Sequence, residues 1–186
     1  MSKPLICILG RSGSGKNYIE KKLVHKGYTS VKSFATRPVR TNDDNDINTH
    51  TFISPDRVSE YKNDIVADTY FNGAYYFATA TQLNNADVYI LDAKGLKQLY
   101  KNYINKDIIS IFIDCDSSIC AERMSKRGDS DDAIMSRLQY DSEAFKNTKE
   151  LCDFVCVNET QENANDIVDF IDKLFQYYNS RSGNND

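Results

Sequence analysis

Four short, predominantly apolar runs punctuate the chain: LICIL at 5–9, VYIL at 88–91, IISIFI at 108–113 and FVCV at 154–157. Runs of this length without polar alternation predict strands buried on both faces. A glycine-rich turn follows the first run and leads into a predicted helix through about His25. AKGLKQLYKNY and SSICAERMSKR carry helical spacing between the later runs. IVDFIDKLFQYY places apolar residues at 167, 168, 170, 171, 174 and 175, the stripe of an amphipathic last helix. Buried strands alternating with helices predict an α/β fold, a parallel sheet with flanking helices.

Two stretches break this rhythm. Residues 33–84 are polar, aromatic and short-stranded, with TNDDNDINTH as a loop. Residues about 125–140 are densely charged around one glycine. Both read as lobes mounted on the sheet. The expected organisation is a core of 1–32 and 85–178, an inserted mixed lobe at 33–84, a short lid at about 125–140, and a disordered tail at 179–186.

Composition narrows the function classes. The 186 residues suit one domain with insertions, and 40% apolar with 27% charged residues suits a soluble globular body. A net charge of −4 argues against a general nucleic-acid binder, which needs a basic surface. No apolar run reaches membrane-spanning length, so no membrane role is expected. Five cysteines at 7, 115, 120, 152 and 156 form no C-x-x-C pair, which argues against zinc. Cys7 and Cys156 sit in apolar runs and read as core residues. The odd cysteine count without a secretory leader points to a reducing cytoplasm.

The chemistry begins at GRSGSGKN, residues 10–17. Gly10, Gly13 and Gly15 permit the positive φ and close backbone approach of a sharp strand-to-helix turn. The amides of that turn, those of Ser12 and Ser14 among them, then converge on an anion beside the positive end of the helix. Lys16 reaches the outer phosphates of a nucleotide. A Ser or Thr normally follows that lysine and offers its hydroxyl to Mg²⁺; here Asn17 stands there, a weaker candidate ligand.

SFATRPVR places Arg37 and Arg40 three apart around a proline, a pairing suited to a phosphate group. Arg123, Arg127 and Arg137 lie in or beside the charged stretch, as expected of a closing lid. With these residues in order, the chain resembles the guanylate kinase family from the glycine loop to about residue 175. The matching pieces are GRSGSGK, S-x-x-T-R-x-x-R from Ser33 to Arg40, GAYYFA at 73–78, DAKG at 92–95, Arg123 with Arg127 and Arg137, and CDFVCVNE.

The resemblance implies a P-loop NTPase-type fold with a lobe that binds a nucleoside monophosphate, and transfer of the ATP γ-phosphoryl to GMP or dGMP with Mg²⁺. It implies that Gly10, Ser12, Gly13, Ser14, Gly15, Lys16 and Asn17 hold the donor, with Arg123 and Arg127. Arg37, Arg40 and Tyr76 would hold the acceptor phosphate, and Ser33 and Asp92 would face the base. Arg127 and Arg137 would close on the transferring phosphate.

Departures gather at base recognition. Ala78 removes a family hydroxyl, Lys94 replaces a glutamine, and a family acidic residue falls on Ala67. Asp68 beside it would serve only if the register slips or the strand bulges. A family tyrosine is replaced by Thr49 or His50, and Asp43 aligns with a family glutamate. A kinase for another (deoxy)nucleoside monophosphate or phosphorylated sugar, and a non-catalytic module that grips a phosphorylated ligand, therefore stay open.

Overall fold

A computed structural model describes residues 3–39 and 46–182. The first strand, β1 (Leu5–Gly10), runs into the glycine turn and then α1 (Lys16–His25). After β2 (Ser33–Ala35) come α2 (Asp46–Thr49), β3 (His50–Phe52), a 3₁₀ segment, β4 (Ile65–Phe71), β5 (Ala74–Thr79) and α3 (Ala80–Asn84). The chain returns to the core with β6 (Val88–Ile90), α4 (Ala93–Asn102) and β7 (Ile108–Asp114). It ends with α5 (Ser117–Lys126), α6 (Asp131–Ala144), a second 3₁₀ turn, β8 (Phe154–Val157) and α7 (Gln161–Ser182).

The main sheet is parallel throughout, in the order β6-β1-β7-β8. Leu5, Cys7 and Leu9 point to one face, where Leu96, Leu99 and Tyr103 of the α4 region cover them. Ile6 and Ile8 point to the other, covered by Ile19 and Leu23 of α1 and by Ile167, Val168, Ile171 and Phe175 of α7. That double cover explains why these runs lack alternation.

Two expectations change. FVCV forms the predicted strand, but at the sheet edge, with Phe154 39%, Val155 46% and Val157 53% exposed. Cys156 is accordingly half-buried while Cys7 is fully buried. The last helix also runs on through Ser182, because Asn179, Ser180 and Arg181 continue the turn geometry. The rest of the expected tail, and Asp43, lie outside the described residues.

The inserted segment builds a second, mixed sheet in the order β3-β2-β5-β4. β2 runs parallel to β3 and antiparallel to β5, which pairs antiparallel with β4. Asn72 and Gly73 both take positive φ at the β4–β5 turn, the geometry that favours Asn-Gly in tight hairpins. One face of this sheet carries Ser33, Ala35, His50, Ala67, Tyr76 and Ala78; the other carries Phe34, Asp68, Tyr75 and Phe77. On the second face Phe34 stacks on Phe77, with ring centroids 4.9 Å apart, and meets Tyr61 at a tilt at 4.4 Å.

The charged stretch is a helix–turn–helix. Gly128, at φ 95°, ends α5 in the left-handed conformation that closes helices. Ser130 caps α6 by accepting from the Ala133 amide at 3.3 Å, and Asp131 and Asp132 complement its positive end. Ile134, Arg137, Leu138 and Asp141 recur at three- and four-residue spacing on the less exposed side. Half that stripe is charged, which hides the helix from an apolar pattern.

Candidate nucleotide site

The donor loop follows from packing. A Cβ on Gly13, at φ 77°, would stand 2.5 Å from the Cys120 carbonyl oxygen, and one on Gly15 would collide with the Asn158 amide. Neither contact tolerates a side chain, so α5 and the segment after β8 press the loop into shape. Asn158, almost wholly buried, donates to the Ser14 carbonyl at 2.7 Å. Arg123 donates through one nitrogen to the carbonyls of Gly13 at 3.3 Å and Asn158 at 3.0 Å. Arg123 therefore braces the back of the loop in this structure. Ser14 is fully buried as part of the same brace, and Arg11 bonds Ser117 at 2.9 Å.

The α1 helix begins at Lys16 with no side-chain cap and no acid in its first turn. The positive end of its dipole thus carries no side-chain acceptor of its own and suits an anion. Lys16 folds back to donate to the Gly10 and Arg11 carbonyls, both at 2.7 Å. Burial pushes its pKa down to about 8; the Asp141 carboxylate opposes that shift, and the Arg137 and Arg127 guanidiniums add to it. Asp141, Arg137 and Arg127 thus all act on the charge of one ammonium. Asp141 also accepts from the Ser12 amide at 2.5 Å. Asn17, in contrast, is exposed at the start of α1.

Arg127 is largely exposed and paired with Asp129. Arg137 lies over the Phe71 ring, its guanidinium carbon 5.1 Å from the centroid, and Tyr140 rests on the same ring at 4.9 Å. Phe71 ends β4, so α6 bridges the donor loop and the tip of the inserted sheet.

On that sheet Arg37 donates through Nε to the Tyr76 hydroxyl at 3.0 Å and sits 5.0 Å over Phe52. His50 lies 5.4 Å from the Tyr76 ring, and its Nδ1 bonds Ser33 Oγ at 3.0 Å. Of Thr49 and His50, the histidine is the one on the face with Tyr76. Ser33, Arg37 and Tyr76 are therefore linked, with His50 between Ser33 and Tyr76. Arg40 lies outside the described residues.

Asp68 does not join them. The register shift falls between Ile65 and Ala67, which sets Ala67 against Ala78 and Asp68 against Phe77 on the opposite face. There Asp68 accepts from Tyr75 at 2.5 Å and Gln98 at 2.7 Å, with Lys94 at 3.4 Å. Burial pushes its carboxyl up, but these partners outweigh it and hold the pKa below the usual carboxylate range. Ala67 and Ala78 are 2% and 0% exposed, packed with Leu83, Leu91 and Leu96. Asp92 caps α4 by accepting from the Gly95 amide at 2.7 Å, which commits one of its oxygens.

Sequence reasoning missed Asp141 and Asn158 as parts of the donor loop. Asp141 had one available signal: it lies one helical turn after Arg137, on the same face.

Among curated proteins the sequence finds no match. The fold is similar to the crystal structure of guanylate kinase from Anaplasma phagocytophilum, with a TM-score of 0.66 and 22% identity over 92% of this chain and 86% of that one. At that identity the likeness speaks for the architecture alone. The AAA domain family matches residues 6–147, from β1 through α6, more than half of the chain. The chain therefore belongs to the AAA domain family, as a kinase-type P-loop domain.

Proposed function

We propose that this protein is an ATP-dependent nucleoside monophosphate kinase that transfers the γ-phosphoryl group to GMP or dGMP. The observation that carries the reading is the placement of α6, which sets Asp141 on the Ser12 amide of the glycine loop and Arg137 on Phe71 of the inserted sheet, while the charges of Arg137 and Arg127 act on Lys16. A phosphoryl group passing between two anions needs such charge on its path. The acceptor phosphate is already a nucleophile, so no general base is required; positioning and neutralisation carry the catalysis.

In this reading the loop amides and Lys16 hold the donor phosphates, and Arg37, Arg40 and Tyr76 hold the acceptor phosphate, with His50 beside them. Arg127 and Arg137 cover the transferring group, and Arg123 braces the loop. Ser33 and Asp92 face the base. Among the described residues no group of three His, Cys, Asp or Glu is disposed to hold a metal. That suits Mg²⁺ carried mainly by ATP phosphates and water, with the exposed Asn17 amide oxygen as a protein ligand. The cation would neutralise the donor phosphates.

One observation favours a broader acceptor range. Ala67 and Ala78 offer no polar atom where the resemblance expects contacts to guanine, so another (deoxy)nucleoside monophosphate or a phosphorylated sugar is the second reading. A non-catalytic binding module has no use for the lysine and lid arginines. A coupled assay of ADP release against GMP, dGMP, AMP, UMP and CMP tests the proposal. Turnover of GMP or dGMP is expected; turnover of none of the five would sink the kinase reading.

A further inference from the structure

Among the described residues Asp141 is the one charged residue that is less than a tenth exposed, at 4%. A buried carboxylate must be paired, and its partners here define a site. Its Oδ2 accepts from the Ser12 amide in the glycine loop, across 129 residues of sequence. Its charge raises the proton affinity of Lys16, the loop lysine. Arg137, one turn earlier on the same face of α6, acts on Lys16 in the opposite sense. A carboxylate oxygen that accepts from a glycine-loop N–H sits where a phosphate oxygen would be received.

We propose that Asp141 is a built-in stand-in for a donor phosphate: its carboxylate holds the loop in the absence of nucleotide, and the phosphate chain of ATP must displace it. This rests on the donor-site reading above and adds a regulatory residue to it. The exchange is of like for like, an anion for an anion, so the loop and Lys16 stay ordered in both states. It also imposes a competition on every phosphate chain, whatever base is attached. Because Arg137, Tyr140 and Asp141 share α6, leaving the loop shifts the helix whose ring contacts reach Phe71. Donor occupancy is thereby felt at the tip of the acceptor sheet.

Asp141→Asn separates the two roles of the side chain, since it keeps an oxygen for the Ser12 N–H and removes the charge. Calorimetric titration with inorganic tripolyphosphate without Mg²⁺, and with ATP plus Mg²⁺, compares the variant with the native chain. Both ligands are expected to bind the variant about tenfold more tightly, the gain when a site nine-tenths occluded is freed. Unchanged or weaker tripolyphosphate binding overturns the proposal. So does loss confined to ATP with Mg²⁺, which would make Asp141 a ligand of the cation. If the native chain binds neither ligand, the donor-site reading itself fails and the inference with it. A measurement free of any substitution is the ¹⁵N–¹H signal of Ser12 during tripolyphosphate titration. It must move as Asp141 leaves, and a signal that stays in place overturns the proposal.

Discussion

Around the glycine loop the molecule gathers polar and charged groups: Lys16 and Arg123 on its carbonyls, a buried carboxylate on its Ser12 amide, and a helix start with no side-chain cap. Around Ala67 and Ala78, in the inserted sheet, it gathers methyl groups and leucines. The first region is held by polar contacts that cross the sequence, Asn158 to Ser14 and Asp141 to Ser12. The second is an extension of the hydrophobic core into the inserted sheet. Phosphate recognition depends on an exact count of donors, each costly to lose in a dry site. Contact with a flat base can rest on apolar surface, which grips without choosing strongly. Under the proposed kinase reading, phosphate binding would be the exacting part of the site and base binding the permissive part.

The comparison breaks most sharply at Lys16. Lys16→Ala is expected to lower kcat by about 10³-fold or more while the far-UV circular dichroism stays native. Retained turnover would move the donor site elsewhere. Arg137→Ala comes next, with a loss of about 10²-fold in kcat that Arg137→Lys does not restore, because a planar guanidinium both stacks on Phe71 and forks onto phosphate. Steady-state kinetics of the two variants decide it.

The apolar end makes its own prediction. The ratio of kcat/KM between GMP and AMP should stay within about 10²-fold, far below the 10⁴ or more of sites that hydrogen-bond their substrate. A ratio above that would require a polar base contact from elsewhere in the lobe. A smaller effect follows from the depressed pKa of Lys16, about 8. Bound phosphate favours the protonated lysine, so binding takes up a proton as pH rises through that value. ATP affinity should then fall by at most about tenfold per pH unit above 8, read by calorimetry in buffers of different ionisation heat. The fall should begin at lower pH in Asp141→Asn, which lacks the charge that supports the ammonium. The least effect belongs to Asn17→Ser, expected to hold Mg²⁺-dependent turnover within about threefold, because the cation draws most of its ligands from phosphate and water.

Much of the fold was legible because its signals are local. LICIL, VYIL and IISIFI announce buried strands by their own composition, and the glycines of GRSGSGKN announce a turn by what they lack. The exposed edge position of FVCV was not legible, since nothing in four apolar residues says whether a neighbour lies on both sides. Asp68 illustrates the same limit. A single irregularity between Ile65 and Ala67 decides which face it takes, and strand alternation sends every later side chain with it. The α6 helix escaped the hydrophobic pattern because Arg137 and Asp141 occupy the inward stripe that leucines usually fill.

By itself, then, the sequence determined the alternation of strands and helices, the phosphate loop, and the arginines available to serve it. Those properties are written in residues within a few positions of one another, where propensity, chirality and side-chain chemistry act directly. The tertiary structure alone decided that Ala67 faces Ala78, that His50 rather than Thr49 stands beside Tyr76, and that Asp141 reaches the amide of Ser12. Each is a meeting of distant segments, and its geometry is set by how sheets and helices pack, not by the residues that happen to meet.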